Sequence, residues 1–139
     1  MTDQNAYDDR LIAEFRASRA AGDNAFAGRP LLLLTTTGAR SGLARTKPMM
    51  YVREADRLLV IASNAGAPAH PAWYYNLVAH PDVTVEVGAE TFAATAVVLE
   101  AAERAQVWPR IVEQYPFFAH HQAKTSRSIP LIALERTAR

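Results

Sequence analysis

The chain of 139 residues contains no cysteine. Disulfide bonds, thiolate metal sites and cysteine nucleophiles are therefore excluded, and this absence is typical of a cytoplasmic protein. No apolar run approaches the roughly 20 residues that a membrane-spanning helix requires. The formal net charge is only +1, whereas a general nucleic-acid binder usually carries a strong basic excess. What remains is an ordinary globular composition, which predicts a single domain over residues 1–139.

The common catalytic motifs are absent as well. G-x-S-x-G, the Walker loop and H-E-x-x-H do not occur, and no two acids lie together in an apolar stretch as a glycosidase or aspartic dyad would need. His70 and His80 each precede a proline at an expected helix boundary, which favours turn or capping roles. His120 and His121 are adjacent, so on a helix they diverge by about 100° and share a metal poorly. We therefore expect no metal site.

Hydrophobic spacing predicts elements in the order α-β-β-β-α-β-β-α-α-β. Residues 1–9 are expected to be flexible. The predicted helices cover 10–21, 70–79, 103–113 and 117–124, and the predicted strands cover 31–36, 46–52, 58–62, 83–87, 91–99 and 129–134. Six strands joined mostly by hairpins, with peripheral helices, favour an α+β fold built on a small antiparallel barrel within 30–136. Pro48 interrupts one strand, which predicts a bulge, an edge or a backbone position facing a ligand.

The segment 31–51 predicts a hairpin whose tip holds an anion. The tip and the strand after it combine glycines, a hydroxyl and cations: Gly38, Arg40, Ser41, Gly42, Arg45 and Lys47. Glycines let backbone N–H groups approach an anion closely. A guanidinium fork beside a hydroxyl suits phosphate. A solvated turn of the same composition is the alternative.

Small and aromatic residues after this hairpin predict the rest of a pocket. The loop 63–66 is rich in small residues and returns from the next strand. The aromatic candidates are Trp73, Tyr74, Tyr115, Phe117 and Phe118. Most aromatic residues are core by default, but together these also suit a flat, conjugated ligand with an anionic tail. A redox cofactor is such a ligand, and it supplies hydride chemistry that side chains cannot.

Three motifs in the chain resemble those of the deazaflavin-dependent nitroreductases and F420H2-dependent quinone reductases, which use reduced coenzyme F420. The motifs are T-G-x-x-S-G-x-x-R-x-x-P at 37–48, A-S-x-x-G-A-P-x-H-P-x-W-Y-x-N-L at 62–77, and Y-P-x-F at 115–118 followed by T-x-R-x-I-P at 125–130. The resemblance spans about 15–136. It implies a split β-barrel similar to FMN-binding, pyridoxamine-oxidase-like proteins. Abundant arginine and alanine also fit an actinobacterial source.

The resemblance implies hydride transfer from reduced F420 to a quinone-like or nitroaromatic acceptor. The implied cofactor-binding residues are Ala39, Arg40, Ser41, Arg45, Thr46, Lys47, Pro48, Met49, Met50, Ile61, Ala62, Ser63, Asn64, Gly66, Ala72, Trp73, Tyr74, Tyr75, Asn76 and Phe118. The candidates to polarise or protonate the acceptor are Ser63, Tyr115 and His121. An FMN-binding reductase and a non-catalytic F420 carrier or sensor are the alternatives.

Two positions depart from the family pattern. Asn64 stands where a lysine is common after the serine. The segment over the substrate face has Tyr115, Phe118 and His121 where tyrosines often recur every three residues. Phe118 keeps a stacking surface but cannot donate a proton, whereas a histidine with an ordinary pKa of about 6.5 suits proton delivery near neutrality. A homodimer, and a peripheral membrane contact through helix 10–21, are further expectations.

Overall fold

The computed structural model describes residues 3–21, 25–26, 29–54 and 56–137. The helices and strands in this part of the chain are α1 (Asp3–Ala21), β1 (Ala25–Phe26), β2 (Arg29–Thr37), β3 (Ala44–Glu54), β4 (Arg57–Ile61), α2 (Ala72–Ala79), β5 (Asp82–Val87), β6 (Glu90–Val98), α3 (Ala101–Gln114), α4 (Phe117–Ala123) and β7 (Leu131–Arg136). A short 3-10 helix, Asn64–Gly66, precedes α2. Among these elements no helix is both long and apolar enough to cross a membrane.

Six strands close into an antiparallel barrel, as predicted. The sheet order is β1-β2-β3-β4-β7-β6-β5, and β5 pairs again with β2 to close the ring. The α+β split-barrel prediction is confirmed. The two-residue strand β1 was not predicted, because a segment this short carries no alternation of apolar and polar residues.

The barrel has an inner and an outer core. The inner cluster fills the barrel with alternate strand residues such as Leu32, Leu34, Val60 and Val85. The outer cluster lies where α3 and α4 cover the barrel, and it includes Phe118. Strands β4 and β7 are buried on both faces, which explains why their sequences read as continuous apolar runs rather than as alternating patterns.

Helix α1 begins at Asp3 and not at residue 10, so the predicted start of this helix is wrong; residues 1 and 2 lie outside the described part. Tertiary contacts stabilise this polar segment. Asp8 is buried and its carboxylate accepts from Lys47 Nζ at 2.5 Å. Phe15 is 1% exposed, and Arg16 forms a two-point ion pair with the buried carboxylate of Glu86 at 3.1 and 2.8 Å.

Strand β3 has an open edge at the position of Pro48. It pairs with β2 from Ala44 to Met50, but its pairing with β4 covers only 51–54. The first half of β3 therefore has a strand on one side only among the described pairings. Proline donates no ladder hydrogen bond and is tolerated at such an edge. The barrel is split here, and the candidate site opens into this gap.

Candidate functional site

Asn76 on α2 fixes the cationic turn between β2 and β3. Its side-chain oxygen accepts from the Ala39 N–H at 2.9 Å, and its side-chain nitrogen donates to Thr36 Oγ1 at 3.2 Å. Because both ends of the amide are used, the turn and the helix are held in one orientation. Asn76 lies 37 positions after Ala39 in the chain. Through this residue, α2 fixes the position of the hairpin tip.

The turn uses most of its own polar groups internally. Gly38 N–H donates to Leu43 O at 2.8 Å, and Gly42 N–H donates to Gly38 O at 2.9 Å. Ser41 Oγ accepts from Leu43 N–H at 3.1 Å. The N–H groups of Arg40 and Ser41 have no hydrogen-bond partner within the described residues. Two backbone donors and the hydrogen of the Ser41 hydroxyl are thus left for an external anion.

A cavity of about 640 Å³ lies between this turn and α2. We call it the turn cavity; its lining residues are Gly38, Ala39, Arg40, Ser41, Arg45, Lys47, Ala72, Trp73, Tyr75 and Asn76. Three of them are cationic and none is acidic. Arg40 and Arg45 are exposed and have no acidic partner among the described residues. Lys47 differs, because its charge is paired with Asp8 of α1.

A second cavity, of about 290 Å³, lies beneath α4 and is called the lid cavity. Its lining residues are Met49, Met50, Ile61, Ser63, Asn64, Ala65, Pro71, Trp73, Phe117, Phe118 and His121. Most of these side chains are apolar or aromatic. The Phe117 and Phe118 rings lie 5.7 and 5.9 Å from the His121 ring in edge-on arrangements. Such a surface suits a flat ring system and excludes water from it.

A middle cavity of about 380 Å³ lies beside the other two and shares lining residues with each of them. It is lined by Asp8, Lys47, Pro48, Asn64, His70, Pro71, Ala72 and Trp73. Trp73 lines all three cavities, and Lys47 is shared with the turn cavity. The three cavities therefore form one cleft with a cationic end and an aromatic end.

Several predicted site residues lie away from this cleft. Tyr74 stacks near His70, with ring centroids 4.5 Å apart, and lines a different cavity. Tyr115 packs against the outer core, 6.0 Å from the Phe117 ring. Thr46 pairs with Thr35 through their hydroxyls at 2.8 Å.

The backbone of the loop after β4 also departs from the predicted contacts. Ala62 is fully buried, and both its N–H and its C=O are bonded to protein, to Pro130 O and to Arg127 respectively. Gly66 is buried beneath α4. The Ala62 backbone N–H and C=O, which the resemblance placed among the cofactor contacts, are thus each already bonded to protein.

Other cleft residues were outside the cofactor contacts that the resemblance implied: Asp8, Ala65, His70 and Pro71, together with Gly38 and Phe117, which the residue pattern alone had placed in the tip and the pocket. Gly38, His70 and Pro71 are fixed residues of the motifs, so the motif positions were a usable signal for them, whereas Ala65 and Phe117 occupy variable motif positions. Asp8 had no local signal, because it reaches the cleft only through the packing of α1. Within the described residues, no cluster of histidines and acids is placed to hold a metal ion.

The pKa values of two histidines at the cleft are lowered, which favours the neutral imidazole. Burial, and then the charges of Lys124 and His120, lower the pKa of His121. Its Nδ1 is buried and has no hydrogen-bond partner within the described residues. Burial and the charge of Arg127 likewise lower the pKa of His70. A neutral imidazole can donate one hydrogen bond but is not a ready source of protons, which changes the role expected for His121.

These lowered pKa values predict a loss of stability in acid. Between the folded-state pKa and the unfolded value of about 6.5, the unfolded chain binds protons more readily, so the free energy of unfolding falls as the pH falls. The histidine contribution is complete above about pH 6.5 and is lost as the pH drops through the lowered pKa values. Urea unfolding from about pH 8 to about pH 5 measures the slope.

The His70→Gln/His121→Gln double variant should lose less stability over this range than the parent chain. The exposed His80, which lies outside the cleft, provides the control: a His80→Gln variant should keep the parent slope. If the His70→Gln/His121→Gln variant and the parent had equal slopes, the loss of stability in acid could not be assigned to His70 and His121.

Comparisons with known proteins agree with this geometry. A family model described as F420H(2)-dependent quinone reductase matches residues 10–136. The F420H(2)-dependent quinone reductase Rv1261c of Mycobacterium tuberculosis is 39% identical over 110 residues, which cover 77% of this chain and 74% of the relative. The solved F420-H2 dependent reductase FDR-A matches with a TM-score of 0.69 at 44% identity, over 77% of this chain and 95% of that one. A chain described as a domain-swapped dimer matches with a TM-score of 0.71 at 38% identity, over 91% of this chain and 98% of that one.

Proposed function

The chain belongs to the F420H(2)-dependent quinone reductase family, and from this premise we propose that its cleft binds reduced F420 and presents it to a quinone. The observation that carries the proposal is the polarity of the cleft. Its turn cavity has cations and no lining acid, and it continues past Trp73 into an apolar, aromatic cavity. A deazaflavin ring with a phosphate-bearing acidic tail has the same two-part chemistry.

The turn cavity fits the tail of the cofactor. Arg40 and Arg45 supply two guanidinium groups, and the Arg40 and Ser41 amides supply two further donors. Charge-assisted hydrogen bonds of this kind are the strong ones. Asn76 keeps the donors in place before the anion arrives, so little entropy is lost on binding. Lys47 contributes less than the sequence implied because Asp8 already pairs with it.

The lid cavity fits the ring and the acceptor. Reduced F420, when bound, supplies a hydride to the acceptor. The chain's own residues hold the two partners together and exclude water, and this positioning is where the rate gain arises. Met49, Met50 and Trp73 provide apolar surfaces in this cavity, and the Phe117 and Phe118 rings cover it from α4.

Ser63 and His121, the two candidates that line the lid cavity, both have side chains that can donate to an acceptor oxygen. Because the pKa of His121 is lowered, we assign it a neutral N–H that stabilises developing negative charge on the acceptor. Proton uptake from solvent can follow. Tyr115, the third candidate, packs in the outer core and receives no role in this proposal.

A quinone is favoured over other acceptors by the character of the lid cavity. The cavity is small, largely apolar and rimmed by few hydrogen-bond donors, which suits a planar, electron-poor ring with oxygens at its edge. A nitroaromatic has a similar plane and is the second acceptor class to test. The size of the turn cavity and its two available arginines favour a long, multiply charged tail over the single phosphate of FMN.

The test is to titrate the purified protein with F420 and with FMN, and then to mix it with reduced F420 and menadione. We expect F420 to bind, FMN to bind more weakly, and oxidised F420 to reappear on addition of the quinone. Absence of F420 binding at micromolar concentrations would overturn the proposal. Tight F420 binding without turnover of menadione or a nitroaromatic would support a carrier or sensor instead.

Two further expectations concern assembly. A homodimer accords with the relative described as a domain-swapped dimer, and the mass of the protein in solution tests it. A membrane contact through α1 has less to support it, since the one phenylalanine of that helix is buried against the barrel. Sedimentation with lipid vesicles tests the membrane contact: protein that binds membranes pellets with the vesicles, and protein that does not bind stays in the supernatant.

A further inference from the structure

Arg127 lies outside the cleft, in the segment between α4 and β7, and its guanidinium ties together the loop that forms one wall of the lid cavity. Nε donates to Ala67 O at 3.0 Å, and Nη2 donates to Ser63 O at 2.7 Å. Nη1 donates to Ala62 O at 3.2 Å and to His70 Nδ1 at 2.9 Å. Four of the five N–H donors of the side chain are thus used on a single stretch, 62–70.

The loop that Arg127 holds has a strained backbone. Asn64, Ala65 and Gly66 follow one another at positive φ, with values of 49°, 54° and 83°. Residues with a Cβ disfavour this left-handed conformation, and Ala65 gains nothing from its side chain to offset it. Asn64 tolerates the conformation better than most residues, and its side chain donates to Ala69 O at 3.0 Å. Without the carbonyl contacts of Arg127, a relaxed loop would be favoured.

Arg127 is also connected to α4, the other wall of the lid cavity. Its backbone oxygen accepts from Gln122 Nε2 at 2.7 Å, and Gln122 follows His121 on α4. The oxygen of the Gln122 side chain accepts from Ile129 N–H at 3.0 Å. One short segment therefore fixes the loop with Ser63 and the helix with His121 relative to each other.

The partners of Arg127 are carbonyl oxygens and an imidazole nitrogen, and within the described residues it forms no ion pair with an acid. A planar fork with donors in fixed directions is needed for this arrangement, and the point charge of lysine cannot reproduce it. The loop is therefore held by the fixed directions of the Arg127 N–H donors and not by the positive charge alone.

We propose that Arg127 is a positioning residue for the ring half of the cleft: it sets the shape of the lid cavity, and it takes no part in holding the tail. The proposal rests on the proposed function for its ligand, but its first consequence concerns the ligand-free protein. Replacing the fork should loosen the loop 62–67 and leave the cationic turn at Arg40 unchanged.

Hydrogen–deuterium exchange of the ligand-free protein tests this first consequence. In Arg127→Lys, amides within 62–67 should exchange at least about tenfold faster, because each lost bond to a charged donor shifts the local opening equilibrium. Amides of the turn 38–43 should keep their rates. Arg16→Lys is the matched control, since Arg16 also uses its guanidinium fork, in a two-point ion pair with Glu86 at 3.1 and 2.8 Å, but bonds neither to 62–67 nor to Gln122. Unchanged exchange in 62–67, or equally faster exchange throughout the chain, would overturn the proposal.

Ligand binding tests the second consequence with two probes, F420 and the deazaflavin riboside that lacks the phosphate and acidic tail. Arg127→Lys should weaken both by the same factor, about tenfold or more, because both contain the ring. The ratio of the two affinities, which measures the tail contribution, should stay at the parent value. A variant that weakens F420 but leaves riboside binding intact would place Arg127 in the tail site and overturn the proposal. If the parent protein binds neither probe, the proposed function fails, and the exchange experiment still decides the role of Arg127.

Discussion

Replacement of both Arg40 and Arg45 by alanine is expected to weaken F420 binding by about 100-fold or more while leaving the fold intact. A hydrogen bond to a charged group contributes about 1.5–3 kcal/mol, and two such groups line a cavity that contains no acid. Neither guanidinium has an acidic partner among the described residues, so their removal leaves no buried charge unpaired. Fluorescence titration of F420 measures the affinity, and the thermal midpoint reports the fold.

The control for this double variant is Arg53→Ala/Arg110→Ala, which removes the same net charge far from the turn. Both of these side chains are exposed, and Arg110 pairs with Glu54 at 2.5 Å. We expect nearly parental affinity for F420. An equal loss of affinity in both double variants would mean that only the overall charge matters, and the assigned tail site would then be wrong. The deazaflavin riboside should bind the Arg40→Ala/Arg45→Ala variant as it binds the parent.

Gly66→Ala is expected to lower the free energy of unfolding by about 2–4 kcal/mol. The residue has φ +83°, and a Cβ there would lie 2.7 Å from the backbone oxygen of His121 and 2.9 Å from Lys124 Cβ. Backbone atoms cannot rotate away, so α4 must move off the loop and the lid cavity must change shape. For a chain of this size the thermal midpoint should fall by roughly 10 °C, and affinity for the riboside should fall with it.

Gly42→Ala is the matched control for Gly66→Ala. Gly42 also has a positive φ, +72°, but nothing lies within 4 Å of the added Cβ. Only the left-handed backbone penalty then applies, which is about 1 kcal/mol. If the two alanine variants lost the same stability, backbone strain alone would account for Gly66, and the close packing of α4 on the loop would have no energetic role.

The barrel itself could be predicted from the sequence because its signals are local. Alternating and continuous apolar runs, separated by turns rich in glycine and small polar residues, mark six strands, and hairpin-length connections leave few topologies open. The cationic turn was found for the same reason: Gly38, Arg40, Ser41 and Gly42 lie within five consecutive positions. The cofactor family followed from the motifs rather than from these patterns.

Contacts between distant segments could not be predicted in this way. Asp8 reaches Lys47 across 39 positions and Arg127 reaches Ser63 across 64, and no spacing rule marks either pair. The orientation of an aromatic residue is equally hidden. Tyr74 and Tyr115 have the composition of pocket walls, but packing turns Tyr74 toward His70 and Tyr115 into the outer core.

The sequence by itself determined the strands, the cationic character of the turn and the absence of thiolate chemistry, since each depends on residue type and short-range spacing. Tertiary structure alone decided which cations remain without an acidic partner among the described residues, which histidines have a lowered pKa and what holds the loop beside the lid cavity. These properties depend on burial and on the direction of side-chain donors, which are fixed only when α1, α4 and the segment before β7 pack against the barrel.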